Sequence, residues 1–162
     1  GMLDRLVVFT LGLLSASFLV GCGNRRPIET LVPVSGKLMV DGKPLDGVII
    51  SFIPQGTKNY RGGTATTDSN GDFTVIDLEQ NKPGLPAGSY NVSYSRMRLP
   101  DGSAPPPLAP GESAKPGQIR VESLPPHLTV PSPKTVVDIP KNGNTKVELK
   151  ASTSKPSIHG TG

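Results

Sequence analysis

Apolar and polar residues alternate in short runs along most of this chain, with the two-residue period typical of β-strands. Val48, Ile50 and Phe52 occupy every second position before Pro54, and Tyr90, Val92 and Tyr94 do the same in a later run. Similar runs cover about residues 34–40, 63–67, 73–77, 135–139 and 145–150. The pattern therefore predicts seven strands.

Turn residues separate the predicted strands. Asp41-Gly42 suits a tight hairpin turn, and Gly71 closes a polar turn that begins at Asp68. Residues 140–144 join the last two strands. After the first 21 residues, no run keeps helical spacing for more than two turns. We therefore predict an all-β fold, a single antiparallel β-sandwich of about seven strands.

The content of glycine and proline limits how much of the chain can be ordered. The 162 residues include 19 glycines and 18 prolines, which approaches the composition of disordered chains. Residues 34–150 hold all the predicted strands and suffice for one sandwich domain. Within them, residues 99–133 are predicted to form a long proline-rich loop with polyproline II character. The tail, residues 151–162, is predicted to be disordered.

The first run of the chain is longer and more apolar than the strands. Residues 6–20 carry no charge and follow Arg5, as in the signal peptide of an exported protein. Thr10 and Gly12 interrupt the run, and a spanning helix needs about 20 predominantly apolar residues. A retained membrane anchor is therefore the second interpretation. The run ends in Leu19-Val20-Gly21-Cys22, which resembles the lipobox of bacterial lipoproteins.

The lipobox resemblance implies that residues 1–21 are a lipoprotein signal peptide and that residues 22–33 are a lipidated tether. The thiol of Cys22 would carry a diacylglyceryl group, and the new amino terminus would carry a fatty acid such as palmitate. Several acyl chains make a firm anchor, whereas one holds only marginally. Gly23 and Asn24 follow in place of an inner-membrane retention signal, which favours the outer membrane. We expect a lipid-anchored protein of the cell envelope, at the outer membrane or the periplasmic face of a membrane.

Three blocks in fixed order carry a second resemblance. They cover residues 34–48, 67–73 and 86–92, and they include Asp41-Gly42-Lys43-Pro44-Leu45-Asp46-Gly47 and Pro86-Ala87-Gly88-Ser89-Tyr90. Together they resemble the carboxypeptidase regulatory-like, or transthyretin-like, β-sandwich domain, whose topology is similar to that of immunoglobulin domains. They are most similar to short bacterial envelope lipoproteins with one such domain. Leu124-Pro125-Pro126-His127-Leu128 also resembles that group, with Leu128 at a position where an aromatic residue is expected. The resemblance implies a module without catalysis.

The candidate chemistry is sparse. Asp68, Asn70 and Asp72 place oxygen atoms near the spacing of a calcium loop, but Phe73 occupies the position that requires glycine. The favoured interpretation of this segment is a hairpin stabilised by Asx turns. His127 is the candidate base of a hydrolase, although the sequence pairs it with no serine and aspartate. We predict no catalytic residue, no cofactor and no transition-metal site.

The charge pattern argues against nucleic acid as a partner. The net charge is +4, and no five consecutive residues share one sign. The few aromatic residues mostly fall at predicted core positions, so they offer no stacking platform.

Three functions remain open at this stage. The first is a non-catalytic lipoprotein, held in the membrane through Cys22, whose sandwich binds an envelope protein or a glycan. An exposed strand edge or the proline-rich loop would carry that contact. The second is a structural coat or spacer without a specific ligand. The third is a periplasmic hydrolase of the transthyretin-related type.

Overall fold

The computed structural model describes residues 28–56 and 59–156 of the chain. Its regular elements are thirteen strands, most of them short, and one turn of helix. In chain order they are β1 Leu31–Val32, β2 Val34–Val40, β3 Lys43–Pro44, β4 Ile49–Pro54, β5 Gly63–Thr66, β6 Asp72–Thr74, β7 Ile76–Asp77, β8 Leu85–Pro86, β9 Gly88–Ser95, β10 Met97–Arg98, β11 Val121–Glu122, α1 Pro126–Thr129, β12 Ser132–Ile139 and β13 Thr145–Ala151.

Two sheets enclose the core. The larger sheet is antiparallel and has the order β12-β9-β4-β5-β7. In the smaller sheet β2 is central, with β13 along one side and β3 and β6 along the other. Phe52 and Phe73 meet between the sheets with their ring centroids 6.2 Å apart. The prediction of an all-β sandwich is thus confirmed.

All seven predicted strands are present, and one of them belongs to both sheets. β6 pairs with β2 in the smaller sheet, whereas β7 pairs with β5 in the larger one. Val75 lies between β6 and β7 and is fully buried. As predicted, Phe73, Val75 and Asp77 share the inward face. This strand therefore closes one side of the sandwich.

The opposite side of the sandwich is open. β12 is the last strand of the larger sheet and β13 the last of the smaller one, although they follow each other in the chain. Residues 140–144 carry the chain from one sheet to the other, so β12 and β13 do not form a hairpin. β13 consequently runs parallel to β2, in an unbroken register from Thr145 opposite Val34 to Ala151 opposite Val40. This parallel pair was not predicted.

The ordered region extends past the predicted boundaries of the tether and the tail. The tether was predicted to reach residue 33, but Leu31 and Val32 form β1 on β8, and Val32 is buried in the core. The tail was predicted from residue 151, but Ala151 belongs to β13, and both the backbone N–H and the hydroxyl of Thr153 donate to the Asp41 carboxylate. Backbone pairing with β8 holds residues 31–32, and the hydrogen bonds from Thr153 hold the chain after β13. Residues 157–162 lie outside the described residues.

The proline-rich loop, predicted over residues 99–133, returns to the sandwich before its end. Val121 pairs with Arg98 between β10 and β11, and Leu124 is buried in the core. Leu128 packs against that core from α1. Residues 99–118 have no regular elements, and most of their side chains are exposed, as predicted. Burial of the two leucines explains why the later part is ordered.

The strand directions give the molecule two distinct ends. One end holds four segments: β1, the start of β2, the start of β13 and the end of β12. They lie together because the backbone N–H of Thr145 donates to the Pro33 carbonyl and Ile139 pairs with Gly88. We call this the anchor-side end, because the described chain begins there at residue 28 and the predicted anchor precedes that residue in the sequence. The far end holds the Asp41-Gly42 turn, the β10–β11 ribbon, residues 99–118 and α1.

Candidate functional site

The predicted lipid attachment residue, Cys22, lies outside the described residues, as do the predicted signal peptide and residues 22–27 of the predicted tether. Leu31 lies nine positions after Cys22, a span that reaches roughly 30 Å when extended. None of the helices within residues 28–56 and 59–156 has the length and hydrophobicity to cross a membrane.

The weak calcium candidate, Asp68 with Asn70 and Asp72, is a turn held by its own hydrogen bonds. Oδ1 of Asp68 accepts the backbone N–H groups of Asn70 and Asp72, each at 2.9 Å. The ammonium of Lys37 lies 3.5 Å from the Asp72 carboxylate and donates to the Asn70 carbonyl. The predicted Asx-turn hairpin is confirmed. Over the described parts of the chain, no three His, Cys, Asp or Glu side chains converge as metal ligands.

His127, the candidate base, is placed at the far end on α1. Its Nε2 lies 2.8 Å from the carbonyl oxygen of Ser152, which follows β13. This contact ties α1 to the chain after β13. The second histidine, His159, lies outside the described residues.

A buried carboxylate near the anchor-side end has a structural role. Asp77 has no exposed surface, and its carboxylate accepts the hydroxyl of Tyr60 and the backbone N–H of Gln80. The Tyr60 ring meets that of Tyr90 edge to face at 6.4 Å. Burial, followed by the hydrogen bond to Asp77, raises the pKa of Tyr60 above its usual range. These contacts hold the segment after β4 against β7.

A cluster of charges at the far end holds the loop that precedes β4. Asp46 lies 2.9 Å from the guanidinium groups of both Arg96 and Arg98. Arg98 is 6% exposed, and its guanidinium packs on Gly47, which has a positive φ of 67°. The hydrogen bond from Arg96 is the main reason that the pKa of Asp46 lies below its ordinary value. The cluster joins the 43–48 segment to β9 and β10.

The open side of the sandwich is the candidate binding site. Among the described residues, β12 pairs only with β9, and β13 only with β2. Each strand therefore leaves one row of backbone N–H and C=O groups unpaired, the arrangement that other strands use for pairing. A groove of about 400 Å³ lies between the two edges.

The exposed lining of the groove is more polar than apolar. Val137 and Leu149 are buried along it, and Val147 is half-buried. Lys146, Glu148 and Lys150 alternate with them on β13 and are exposed. Thr145 also lines the groove, and its buried hydroxyl has no hydrogen-bond partner among the described residues.

The two edge strands differ in how much backbone they offer. The register of β12 on β9 is broken by a bulge between Ser132 and Val136, and Pro133 lies inside it. Regular pairing is thereby limited to Val136–Ile139, and bulges and short pairing are features that block strand addition. β13 pairs without interruption over seven residues. It is the longer and more regular of the two edges.

The alternation of Lys146, Glu148 and Lys150 with apolar residues was visible in the sequence and predicted a strand. The position of this strand at the edge of a sheet was not predicted, because it depends on which strands become neighbours in the fold. Comparison of the chain with protein-family models, with curated proteins and with solved structures gave no match.

Proposed function

We propose that this protein is a lipid-anchored, non-catalytic binding module of the cell envelope, tethered through Cys22, whose sandwich engages a partner protein at its open side. The observation that carries the proposal is the pair of unpaired edges, β12 and β13, on either side of a groove along the open side. Main-chain groups at such an edge supply affinity, and adjacent pockets for alternate side chains supply specificity.

The position of the groove supports the proposal. β13 begins at the anchor-side end and runs to the far end, where Ala151 accepts the backbone N–H of Asp41. The groove, which Thr145–Lys150 of β13 line, therefore extends along the side of the sandwich between the two ends. A membrane below the anchor-side end would leave this side accessible to a partner.

The anchor is tested by the mature N-terminus and by fractionation. Mass spectrometry should find that the chain starts at Cys22 and carries lipid, and the protein should sediment with membranes. The variant Cys22→Ser should lose the lipid and leave the membrane fraction. An intact Met2 or an unmodified Cys22 in the wild-type protein would rule out the anchor.

The binding role is tested by photo-crosslinking in living cells. A crosslinking amino acid in place of Lys146, at the open side, should yield a discrete adduct with another protein. The same amino acid in place of Lys115, in the exposed proline-rich segment, is the matched control. If position 146 yields no adduct beyond those seen at position 115, binding at the open side fails. Adducts at position 115 alone would assign the contact to the proline-rich loop, and adducts at neither position would favour a spacer without a ligand.

A further inference from the structure

The free edge of β13 exposes the backbone of three charged residues. Thr145 donates its N–H to Pro33, and Ala151 accepts the N–H of Asp41, so both direct their main-chain groups toward β2. In a regular strand, alternate residues direct these groups to opposite sides. The register is unbroken from Thr145 to Ala151, so the N–H and C=O groups of Lys146, Glu148 and Lys150 point away from β2.

The side chains of the same three residues lie on the outer face of the sheet, with the charge order positive, negative, positive. Val147 and Leu149 turn toward the groove between the sheets. A strand added to this edge would place every second side chain beside one of the three charges and the others over the groove. Opposite charges in directly facing positions of neighbouring strands are favourable, and like charges are unfavourable.

We infer that the β13 edge binds an extended segment of a partner protein in which charged residues, ordered acidic, basic, acidic, alternate with apolar residues. This inference rests on the proposed function, because it names the chemistry of the partner at the open side. Lysines at an edge normally discourage strand pairing. Here the charge order permits a complementary strand and rejects the others.

The apolar positions of the partner segment have a defined place. The groove of about 400 Å³ has Val137 on one wall and Val147 and Leu149 on the other. Val137 and Leu149 are already buried in the core, so Val147, which is half-buried, is the apolar side chain of this set that the partner segment contacts.

Two synthetic peptides of mirrored charge test the inference against the mature, lipidated protein in detergent micelles. The complementary peptide is Ser-Glu-Val-Lys-Val-Glu-Ser, and the reversed peptide is Ser-Lys-Val-Glu-Val-Lys-Ser. Their charge patterns are palindromic, so parallel and antiparallel addition give the same facing pairs. Fluorescence anisotropy of labelled peptides should show that the complementary one binds about tenfold more tightly. Equal binding, or binding of neither peptide, overturns the inference.

A charge-swapped variant gives the sharper result. In Lys146→Glu, Glu148→Lys, Lys150→Glu, the preference should invert, so that the reversed peptide binds more tightly by about the same factor. The matched control Lys82→Glu, Glu112→Lys, Lys115→Glu makes the same three exchanges at exposed positions away from the edge and should keep the wild-type preference. A preference that does not invert overturns the inference.

The role of the free backbone is tested at Glu148. Proline there removes one N–H that points away from β2, and proline is tolerated where the N–H faces solvent on an edge strand. Glu148→Pro should weaken both peptides while circular dichroism keeps the wild-type spectrum. Glu148→Gln, which keeps the N–H, is the companion variant and should retain backbone pairing. Wild-type affinity in Glu148→Pro would contradict strand addition.

The peptide and crosslinking experiments test different claims, so a negative result in one is distinguishable from a negative result in the other. Crosslinking at position 146 without selective peptide binding would leave the binding module intact and overturn only the partner chemistry. Absence of a specific adduct would overturn the proposed function itself.

Discussion

At the scale of single residues, the two buried tyrosines of β9 show that a buried hydroxyl stabilises the fold when it has a hydrogen-bond partner and destabilises it when it has none. Tyr90 and Tyr94 are 2% and 5% exposed. The hydroxyl of Tyr90 donates to the carbonyl of Pro86 at 2.7 Å. The hydroxyl of Tyr94 is buried without a hydrogen-bond partner among the described residues. A buried polar group without a partner keeps its full desolvation cost.

The same substitution should therefore have opposite results at the two positions. Tyr94→Phe should raise the free energy of unfolding by about 1 kcal/mol, because it removes an unpaired hydroxyl. Tyr90→Phe should lower it by about 1 kcal/mol, because it removes a hydrogen bond and leaves the Pro86 carbonyl unpaired. Urea denaturation measures both. A loss of stability in Tyr94→Phe would show that its hydroxyl has a partner.

Gly36 is a second residue whose role lies in its contacts. It pairs with Phe73 across β2 and β6 and with Val147 across β2 and β13. A Cβ atom at this position would lie 2.0 Å from the Val147 carbonyl oxygen and 2.7 Å from the Phe73 ring. The neighbouring strands therefore approach each other because residue 36 has no side chain.

Gly36→Ala should thus lower the free energy of unfolding by about 3 kcal/mol, at the upper end of the usual cost of overpacking. The reason is that the nearest obstacle is backbone, which cannot rotate away. Ser35→Ala, on the outer face of the same strand, is the control and should change stability by less than about 0.5 kcal/mol. A stable Gly36→Ala protein would mean that β13 can move relative to β2.

At the scale of elements, the far-end cluster of Asp46, Arg96 and Arg98 connects the loop between β3 and β4 to the chain at β10. Both guanidinium groups also donate to the Asp46 carbonyl. Since Arg98 is almost fully buried, loss of its carboxylate partner leaves a buried charge with fewer hydrogen bonds. The exposed ion pair of Lys37 and Asp72 offers a comparison within the same molecule, with both side chains about half exposed.

Asp46→Ala should cost about 1–2 kcal/mol of stability, because the Asp46 side chain is half exposed and solvent screens part of its hydrogen bonds to the charged groups. Asp72→Ala should cost less than about 1 kcal/mol, as is usual for an exposed pair. The pKa of Asp46 is lowered in the folded state, so its contribution is complete above the ordinary aspartate pKa and is lost as the pH falls through the lowered value. Below about pH 4, the difference between wild type and Asp46→Ala should therefore shrink. Equal effects of the two substitutions would contradict the structural role.

At the scale of the whole molecule, all three tyrosines of the chain report on the fold. Burial is the main cause that raises the pKa of each one, to about 12 for Tyr94. The chain has no tryptophan, so tyrosinate absorbance is observed without interference. Above about pH 10 the unfolded chain loses tyrosine protons that the folded protein keeps.

The free energy of unfolding should therefore be unaffected by the tyrosines below about pH 10 and should fall above it. The slope approaches 1.4 kcal/mol per pH unit for each tyrosine that stays protonated only in the folded state. Tyrosinate absorbance and loss of the β circular dichroism signal should appear together on alkaline titration. Tyrosine ionisation near pH 10 in a protein that remains folded would show that the rings are solvated.

The local sequence pattern was sufficient to predict many of the strands and turns. The alternation of Val48, Ile50 and Phe52 predicted a strand with that face buried, and the three residues are at most 1% exposed. The Asp68 turn was predicted from residues that bond to their own backbone. Such features depend on neighbours in sequence, which is why pattern and turn chemistry found them.

By itself, then, the sequence determined which segments are strands, which faces they bury and where the chain turns, because period-two alternation and turn residues act locally. It also predicts the anchor at Cys22 from the run before it. Only the tertiary structure decided that β6 and β7 divide one strand between two sheets, that β13 lies parallel to β2, and that Lys146, Glu148 and Lys150 stand at a free edge. These properties depend on which distant strands become neighbours, and that is set by packing of the whole core.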